Sequence, residues 1–329
     1  MKKILSLVLC AVVSVFLCGC SGTNVFSAKS AGYTATALGF DQSGSKIKVF
    51  LEAVIVNSED SEADVKLELI SGEGKTVKSA MEQIYRKAAQ PIMLSHIGVA
   101  VAGKEISDSY FEEIRQFCYG IDKITLSMLW VTAESAERLL SCEPISSVAV
   151  GYDIMSMLKE QTSRTGIKFK NRFYEIEAIA AKPLNITALP YFAVGDGSFY
   201  YSGVRLYENA VPKMRLNSEE TGLYAIATNS QNSGQLFLNG KNHKIDSAYS
   251  TFDFSDGIEK VKLSIDLDTK QKTDIKKGIE SLFIKAQKKD IDIFAIGNDI
   301  YRKEPKEWKK IKNEYEEKFK SFELTVEMK

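Results

Sequence analysis

The sequence predicts an α+β fold with mostly antiparallel sheets and packed helices, arranged as three mixed α/β domains. Residues 46–56 and 260–267 alternate apolar with polar side chains, which is the period of a strand with one buried face. Asp196-Gly197 and Asn239-Gly240 separate strand-like runs, and such dipeptides favour the tight turns of hairpins. The 329 residues are enough for two or three domains with sizeable cores.

The predicted strands follow from period-2 alternation or from short apolar runs bounded by turn residues. They cover residues 34–40, 46–56, 97–101, 126–131, 189–194, 198–206, 260–267, 290–296 and 322–328. The first two form a hairpin around residues 41–44, and residues 235–267 form a meander whose last turn contains Asp256-Gly257.

The predicted helices follow from apolar residues that recur at helical spacing. One runs from Val77 to Ala88 and stops before Pro91, and one is capped by Ser109 with Glu112. Others cover residues 146–159 (before a polar break at 161–166) and 173–181, start at Asn217, and surround Trp308. The clearest amphipathic helix buries Ile275, Ile279, Leu282, Phe283 and Ala286. These elements divide the chain into an N-terminal α+β domain (33–145), a middle domain (146–216) and a C-terminal α+β domain (217–329).

The first residues have the pattern of an export signal. Lys2 and Lys3 precede the uncharged stretch 4–17, which is too short to span a bilayer comfortably but suits a signal peptide. Leu17-Cys18-Gly19-Cys20 resembles the lipobox of bacterial lipoproteins, with Cys18 an uncommon occupant of its position. The resemblance implies cleavage of residues 1–19, attachment of diacylglycerol to Cys20, and a polar tether over 20–32. The alternatives are a secreted protein cut elsewhere and an uncleaved anchor.

Composition argues against several classes of function. Lys plus Arg and Asp plus Glu both number 43, so no basic field favours nucleic-acid binding. His96, expected inside an apolar strand, and His243, beside a turn, have no Cys or carboxylate at ligand spacing, so neither a metal nor a cofactor is expected. No G-x-S-x-G motif is present. Asp290 and Asp292 could be acid–base groups by spacing, but a turn or cap role is favoured, and the chain is predicted not to be an enzyme.

Two cysteines, Cys118 and Cys142, remain as thiols in the mature chain. A disulfide between them is possible outside the cytoplasm. Because Cys118 shares the apolar face of a helix with Phe111 and Ile114, buried unpaired thiols are favoured.

The strongest resemblance to a known family lies near the C-terminus. Residues 290–310 resemble the Ger(x)C lipoproteins, the C subunits of nutrient germinant receptors in endospore-forming bacteria. The matching residues are Asp292, Phe294, Gly297, Arg302, Pro305 and Trp308. Two departures are small: Ala295 stands where Gly is usual, and Tyr315 replaces a second Trp. Residues 37–41, 203–207 and 218–222 agree more loosely, and the family's Trp-Asp-Arg-Arg after the lipid cysteine is replaced by Ser-Gly-Thr-Asn.

The resemblance implies three mixed α/β domains, no catalytic residues, and a membrane complex with integral-membrane A and B subunits. That complex senses nutrients and triggers germination at the spore inner membrane, and this chain would supply docking surface and signal coupling on its outer face. The motif itself reads as structural: Pro305 suits the first turn of a helix, Trp308 can pack on the sheet, and Gly297 permits a tight turn.

Two other functions remain open from the sequence. A solute-binding lipoprotein of an importer would require two doubly wound βα lobes with a cleft between them. The predicted meander over residues 235–267 argues against that architecture. A cell-wall enzyme would require catalysis by Asp290 or Asp292.

Overall fold

The fold is taken from a computed structural model that describes residues 32–57, 64–104, 106–120, 124–255 and 258–329. The signal sequence, Cys20, nearly all of the tether and the Asp256-Gly257 turn lie outside the described residues. Helices and strands mix along the whole described chain, as the α+β prediction requires.

Fourteen strands are present in the described residues. They are β1 (Tyr33–Ser43), β2 (Lys46–Asn57), β3 (Asp64–Gly74), β4 (Ile92–Met93), β5 (Val99–Ala102), β6 (Leu129–Thr132), β7 (Ile186–Gly195), β8 (Ser198–Glu208), β9 (Val211–Leu216), β10 (Gly234–Leu238), β11 (Lys241–Ile245), β12 (Ala248–Ser255), β13 (Lys260–Leu267) and β14 (Glu323–Met328).

Ten α-helices accompany these strands in the same part of the chain. They are α1 (Val77–Lys87), α2 (Asp108–Tyr119), α3 (Ala136–Leu140), α4 (Val150–Thr165), α5 (Phe173–Ala180), α6 (Ser218–Ala227), α7 (Lys272–Gln287), α8 (Ile296–Lys303), α9 (Pro305–Ile311) and α10 (Tyr315–Lys320). A single 3₁₀ turn covers Leu94–His96.

The largest sheet is mixed and has the order β3-β2-β1-β5-β6-β7-β8-β9, with β4 paired to β1. Its two ends are antiparallel, whereas β1, β5, β6 and β7 are neighbours in parallel. The sheet therefore continues across residue 146, where the sequence suggested a domain boundary. The division into three domains stays a prediction.

Helices cover both faces of this sheet. On one face α1, α2 and α5 bury Val77, Phe111 and Phe173 against the inward residues of β1, β2 and β5. On the other face α3 and α4 pack on the alternate residues, such as Phe50 of β2. Since successive strand residues point to opposite faces, this two-sided cover explains why β5 is apolar throughout and why β6 is apolar up to Thr132.

The C-terminal part forms a third core. Strands β12, β13 and β14 make one sheet, with β12-β13 antiparallel and β13-β14 parallel, and β10-β11 is a separate hairpin. The predicted inward residues of α7 are all buried, as are Val261, Leu263, Ile265 and Leu267 of β13. Within residues 235–267 the pairs β10-β11 and β12-β13 are antiparallel as predicted, but they belong to two different sheets and do not form one continuous meander. The described residues do not form the two doubly wound lobes of a solute-binding protein.

Two of the hairpin turns predicted from the sequence have the backbone conformation that their residues favour. Asp196 and Gly197 both have positive φ angles between β7 and β8, and Asn239 with Gly240 does the same between β10 and β11. Paired left-handed residues match the twist of a two-residue hairpin, which is why Asn-Gly and Asp-Gly occur there. Asn217 caps α6 through the predicted capping box with Glu220.

Four local predictions were wrong. Helix α4 continues to Thr165 and ends at Gly166, whose φ is 74°, because polar residues on its outer side do not interrupt a helix. Helix α2 begins after Ser107, so Ser109 and Glu112 form no capping box. His96 lies exposed at the end of the 3₁₀ turn rather than in a strand. Residues 290–295 form turns and irregular backbone rather than a strand, and Ile296 already begins α8.

A buried carboxylate fixes α4 on the sheet. Glu52, on β2 and fully buried, accepts hydrogen bonds from the backbone N–H groups of Val150 (2.7 Å) and Gly151 (2.9 Å) and from the Thr36 hydroxyl (2.5 Å). Burial raises the pKa of Glu52, and these hydrogen bonds oppose the rise. The first N–H groups of a helix have no partner within it, so Glu52 supplies what α4 lacks.

We expect Glu52→Ala to lower the free energy of unfolding by about 2–4 kcal/mol, since it leaves buried donors without an acceptor. The matched control is Glu73→Ala on β3, which removes only the exposed ion pair with Lys46 and should change stability by less than about 0.5 kcal/mol. Urea unfolding of both variants measures the difference. Equal midpoints for the two variants would contradict the anchoring role of Glu52.

Candidate functional site at the C-terminal motif

Asp292 is the centre of the motif. Its side chain is buried, and its Oδ2 accepts hydrogen bonds from the Gly297 N–H (3.0 Å) and the Tyr315 hydroxyl (2.7 Å). Its Oδ1 is buried without a hydrogen-bond partner among the described residues. Burial raises the pKa of Asp292 to about 6, while the two hydrogen bonds lower it. Asp292 therefore holds the start of α8 and ties it to α10.

Gly297 is required for close packing rather than for a special turn. A Cβ atom added there would lie 2.5 Å from Leu184 Cδ1, 2.8 Å from Tyr315 Cζ and 3.1 Å from Trp308 Cζ3. The Trp308 ring packs 5.2 Å from Tyr315 and 6.4 Å from Tyr301, measured between ring centroids. The indole thus lies among α8, α9 and α10, although the sequence suggested the sheet as its partner.

The left-handed residue of the turn is Ala295, not Gly297. Ala295 has φ 52° and ψ 41° immediately before α8. This conformation is strained for a residue with a Cβ atom and natural for glycine, the residue usual here in the resembling family. The neighbouring Phe294 stacks on Phe283 at 6.4 Å and also contacts Phe252, so the turn is held by its buried ring.

Pro305 and Arg302 differ in role. Pro305 occupies the first turn of α9, as expected, where its missing N–H removes no helical hydrogen bond. Arg302 is exposed at the end of α8, pairs with Asp299 at 2.5 Å, and lines a cavity beside that helix. Arg302 is therefore the one predicted motif residue whose charged group faces solvent.

The two candidate acid–base residues do not face one site. Asp290 is exposed and pairs with Lys320 at 3.5 Å, whereas Asp292 points into the core. The described residues contain no group of three or more His, Cys, Asp or Glu arranged to hold a metal ion. Cys118 and Cys142 are both free and buried, on opposite faces of the large sheet, and burial raises the pKa of Cys118 to about 12.

Sequence reasoning missed Asn298. Its Oδ1 accepts a hydrogen bond from the Leu184 N–H (2.9 Å), and its Nδ2 donates to the Leu184 carbonyl (3.0 Å). This pair joins α8 to the segment that leads into β7. The residues are 114 positions apart, so no local pattern could have indicated the contact.

Comparison with protein families gives two matches. Residues 33–194 match the family model described as "Spore germination protein N-terminal domain". Residues 266–329, which include the Asp292 motif, match "Spore germination B3/ GerAC like, C-terminal".

The chain belongs to the Ger(x)C family of germinant receptor C subunits. The two matches lie at the two ends of the described chain in the order the family requires, and together they cover more than half of it. The resemblance drawn from the motif is thereby confirmed. The family is not a known enzyme family.

The chain was also compared with solved structures and with curated proteins. The crystal structure described as that of the GerBC protein is similar with a TM-score of 0.47 and 13% sequence identity, and the alignment covers 88% of this chain and 95% of that one. No curated protein gives a significant match.

The charge on Asp292 predicts a pH dependence of stability. Because its pKa is raised from 3.8 to about 6 on folding, the folded chain binds a proton more tightly than the unfolded chain between these values. Stability should therefore fall as pH rises through that window, by up to about 3 kcal/mol. Asp292→Asn keeps an oxygen acceptor for Gly297 and Tyr315 but carries no charge, so it should lack this component.

Urea unfolding between about pH 4 and pH 7.5 measures the effect. Asp290→Asn is the control, since Asp290 is exposed and its variant should retain the slope of the unmodified chain. Parallel stability–pH profiles for the unmodified chain and Asp292→Asn would refute the assignment.

The strain at Ala295 predicts a stabilising substitution. Ala295→Gly should raise the free energy of unfolding by about 1 kcal/mol, because glycine adopts a positive φ without steric conflict. Ala286→Gly in the last turn of α7 is the control and should destabilise by a similar amount or more, since it also removes a buried methyl group. Denaturant midpoints compare the two. A loss of stability in Ala295→Gly would show that the turn is not strained.

Proposed function

We propose that this chain is the lipid-anchored C subunit of a nutrient germinant receptor, docked to integral-membrane A and B subunits on the outer face of the spore inner membrane. The observation that carries the proposal is the family match at both ends of the described chain, combined with an independent lipobox at Cys20. In this role the chain transmits a nutrient signal within the complex rather than performing chemistry.

Membrane attachment through a lipid is supported by the N-terminal pattern. Cys20 follows a basic and then apolar segment of signal-peptide length. Among the described residues, no helix is long and apolar enough to cross a bilayer. Two acyl chains on Cys20 would bury enough methylene groups to hold the folded body at the membrane surface.

A docking role is supported by what the motif residues contact. Asp292 in the turn before α8, Gly297 in α8 and Trp308 in α9 are buried, and their hydrogen bonds and ring contacts are internal to the fold. Such residues shape a rigid surface. They do not present the exposed, convergent reactive groups that a cell-wall enzyme needs.

Affinity capture tests the proposal directly. The full chain, carrying a C-terminal tag, is extracted from spore membranes in mild detergent, and its companions are identified by mass spectrometry. Recovery of two multi-span proteins of the A and B types is expected. Recovery of an importer permease in their place would establish the solute-binding alternative and refute the receptor assignment.

The lipid anchor predicts the outcome of one further substitution. Cys20→Ala should move the protein from the membrane fraction to the soluble fraction, because it lacks the sulfur that accepts diacylglycerol. Cys18→Ala is the matched control and should remain membrane-bound. Fractionation followed by immunoblotting measures both variants, and membrane retention of Cys20→Ala would count against lipidation at that residue.

A further inference from the structure

A cavity of about 620 Å³ lies beside α8 and is bounded by the ends of α5 and α6 and by β7, β8 and β12. Its volume falls within the range of small-molecule sites in proteins, about 300–1,000 Å³. Exposed side chains such as Tyr249 and Lys182 belong to its lining, so the cavity communicates with solvent.

The lining of this cavity is strongly basic. Its lining contains five cationic side chains and one carboxylate, that of Asp299. The cations are Lys168, Lys170, Lys182, Arg302 and Lys303.

The positive charges of the lining are only partly compensated. Arg302 pairs with Asp299 at 2.5 Å, and Lys303 lies 3.6 Å from Asp253. In the part of the chain that the structure describes, Lys170 and Lys182 have no ion-pair partner. Burial, and then repulsion from Lys170 and Arg302, lowers the pKa of Lys182, while attraction to Asp299 opposes this shift, so these charged groups are close enough to affect one another.

The lining also contains apolar side chains. Ile186, Val204, Phe252, Ile293 and Phe294 are among them, and all five are buried in the C-terminal core. A lining with both cations and buried apolar groups matches a ligand that carries a negative group on a hydrophobic body.

The elements that carry these groups are fixed rigidly. Helix α8 presents Arg302, its first turn is held by Asp292, and Asn298 clamps it to the Leu184 backbone. The hydrogen bonds between Asn298 and the Leu184 backbone also hold the segment that follows Lys182. A site built on anchored elements keeps its groups in place without a ligand, which favours binding.

We propose that this cavity binds a small organic anion, with its negative group between Lys170, Lys182 and Arg302 and its hydrophobic body against Phe252 and Phe294. The proposal is independent of docking to A and B subunits, since it concerns only residues within this chain. It gives Arg302, the exposed member of the family motif, a role in ligand binding besides its ion pair with Asp299.

The test uses a matched pair of probes, 3-phenylpropionate and its neutral amide 3-phenylpropanamide, titrated by calorimetry into the full chain in detergent. The two probes share one hydrophobic body and differ in charge. We expect the carboxylate to bind at least about tenfold more tightly than the amide, a difference that corresponds to about 1.4 kcal/mol. Equal affinities, or no saturable binding of the carboxylate, would overturn the proposal.

Two double variants locate the binding site. Lys182→Gln with Arg302→Gln should weaken binding of the carboxylate by about tenfold or more and leave any binding of the amide unchanged. Lys309→Gln with Lys312→Gln removes the same charge from exposed positions on and after α9, outside the cavity lining, and should bind like the unmodified chain. Equal losses in the two double variants would show a general effect of net charge and refute the site.

A second pair of probes separates the two sources of such an anion. Dihexanoylphosphatidylglycerol carries a lipid phosphate, and dihexanoylphosphatidylcholine is its zwitterionic control. If the anionic lipid binds and loses affinity in the Lys182→Gln, Arg302→Gln variant, the natural ligand is a phospholipid. If only 3-phenylpropionate binds and loses affinity in that variant, the ligand is a free carboxylate. If neither probe binds with this dependence on the two side chains, the proposal fails.

Discussion

Four helix N-termini in the described part of this protein are held by carboxylates that lie outside the helix. Glu52 of β2 receives the first N–H groups of α4, Asp41 of β1 those of α3, and Glu113 of α2 that of Val77 in α1. Asp292 does the same for α8 from the turn before it. A negative group at a helix N-terminus satisfies orphan donors and meets the positive end of the helix dipole. These contacts fix the direction of each helix relative to the sheet or turn that supplies the carboxylate.

The position of the family motif depends on the same kind of contact. Asp292 sets the start of α8, and Tyr315 donates to the same oxygen, so α8 and α10 cannot shift independently. Gly297 lets the rings of Trp308 and Tyr315 approach the α8 backbone. Asn298 then joins this assembly to the chain entering β7 of the large sheet. The motif therefore connects the C-terminal core to the large sheet, which contains the first strands of the chain.

Sequence patterns predicted the elements whose signal is local. The alternation in β2 and β13, the capping box at Asn217 and the hairpin at Asp196 depend on residues a few positions apart, and all are present. The strand expected at 290–296 was wrong because apolar content alone does not distinguish a paired strand from a buried turn. The contacts of Glu52 and Asn298 join residues about one hundred positions apart, which no spacing rule can reach.

Two destabilising features coincide in the motif, and both act on the start of α8. Asp292 is a buried carboxylate with one unpartnered oxygen, and Ala295 has a positive φ three residues later. Each opposes folding, so the turn persists only because its surroundings outweigh both. The stacking of Phe294 on Phe283 and the hydrogen bonds between Asn298 and Leu184 are among the contacts that hold the turn in place. The turn also sets the position of Arg302 in the lining of the basic cavity. An anion bound in that cavity would therefore stabilise the same segment that the buried Asp292 and the positive φ of Ala295 destabilise.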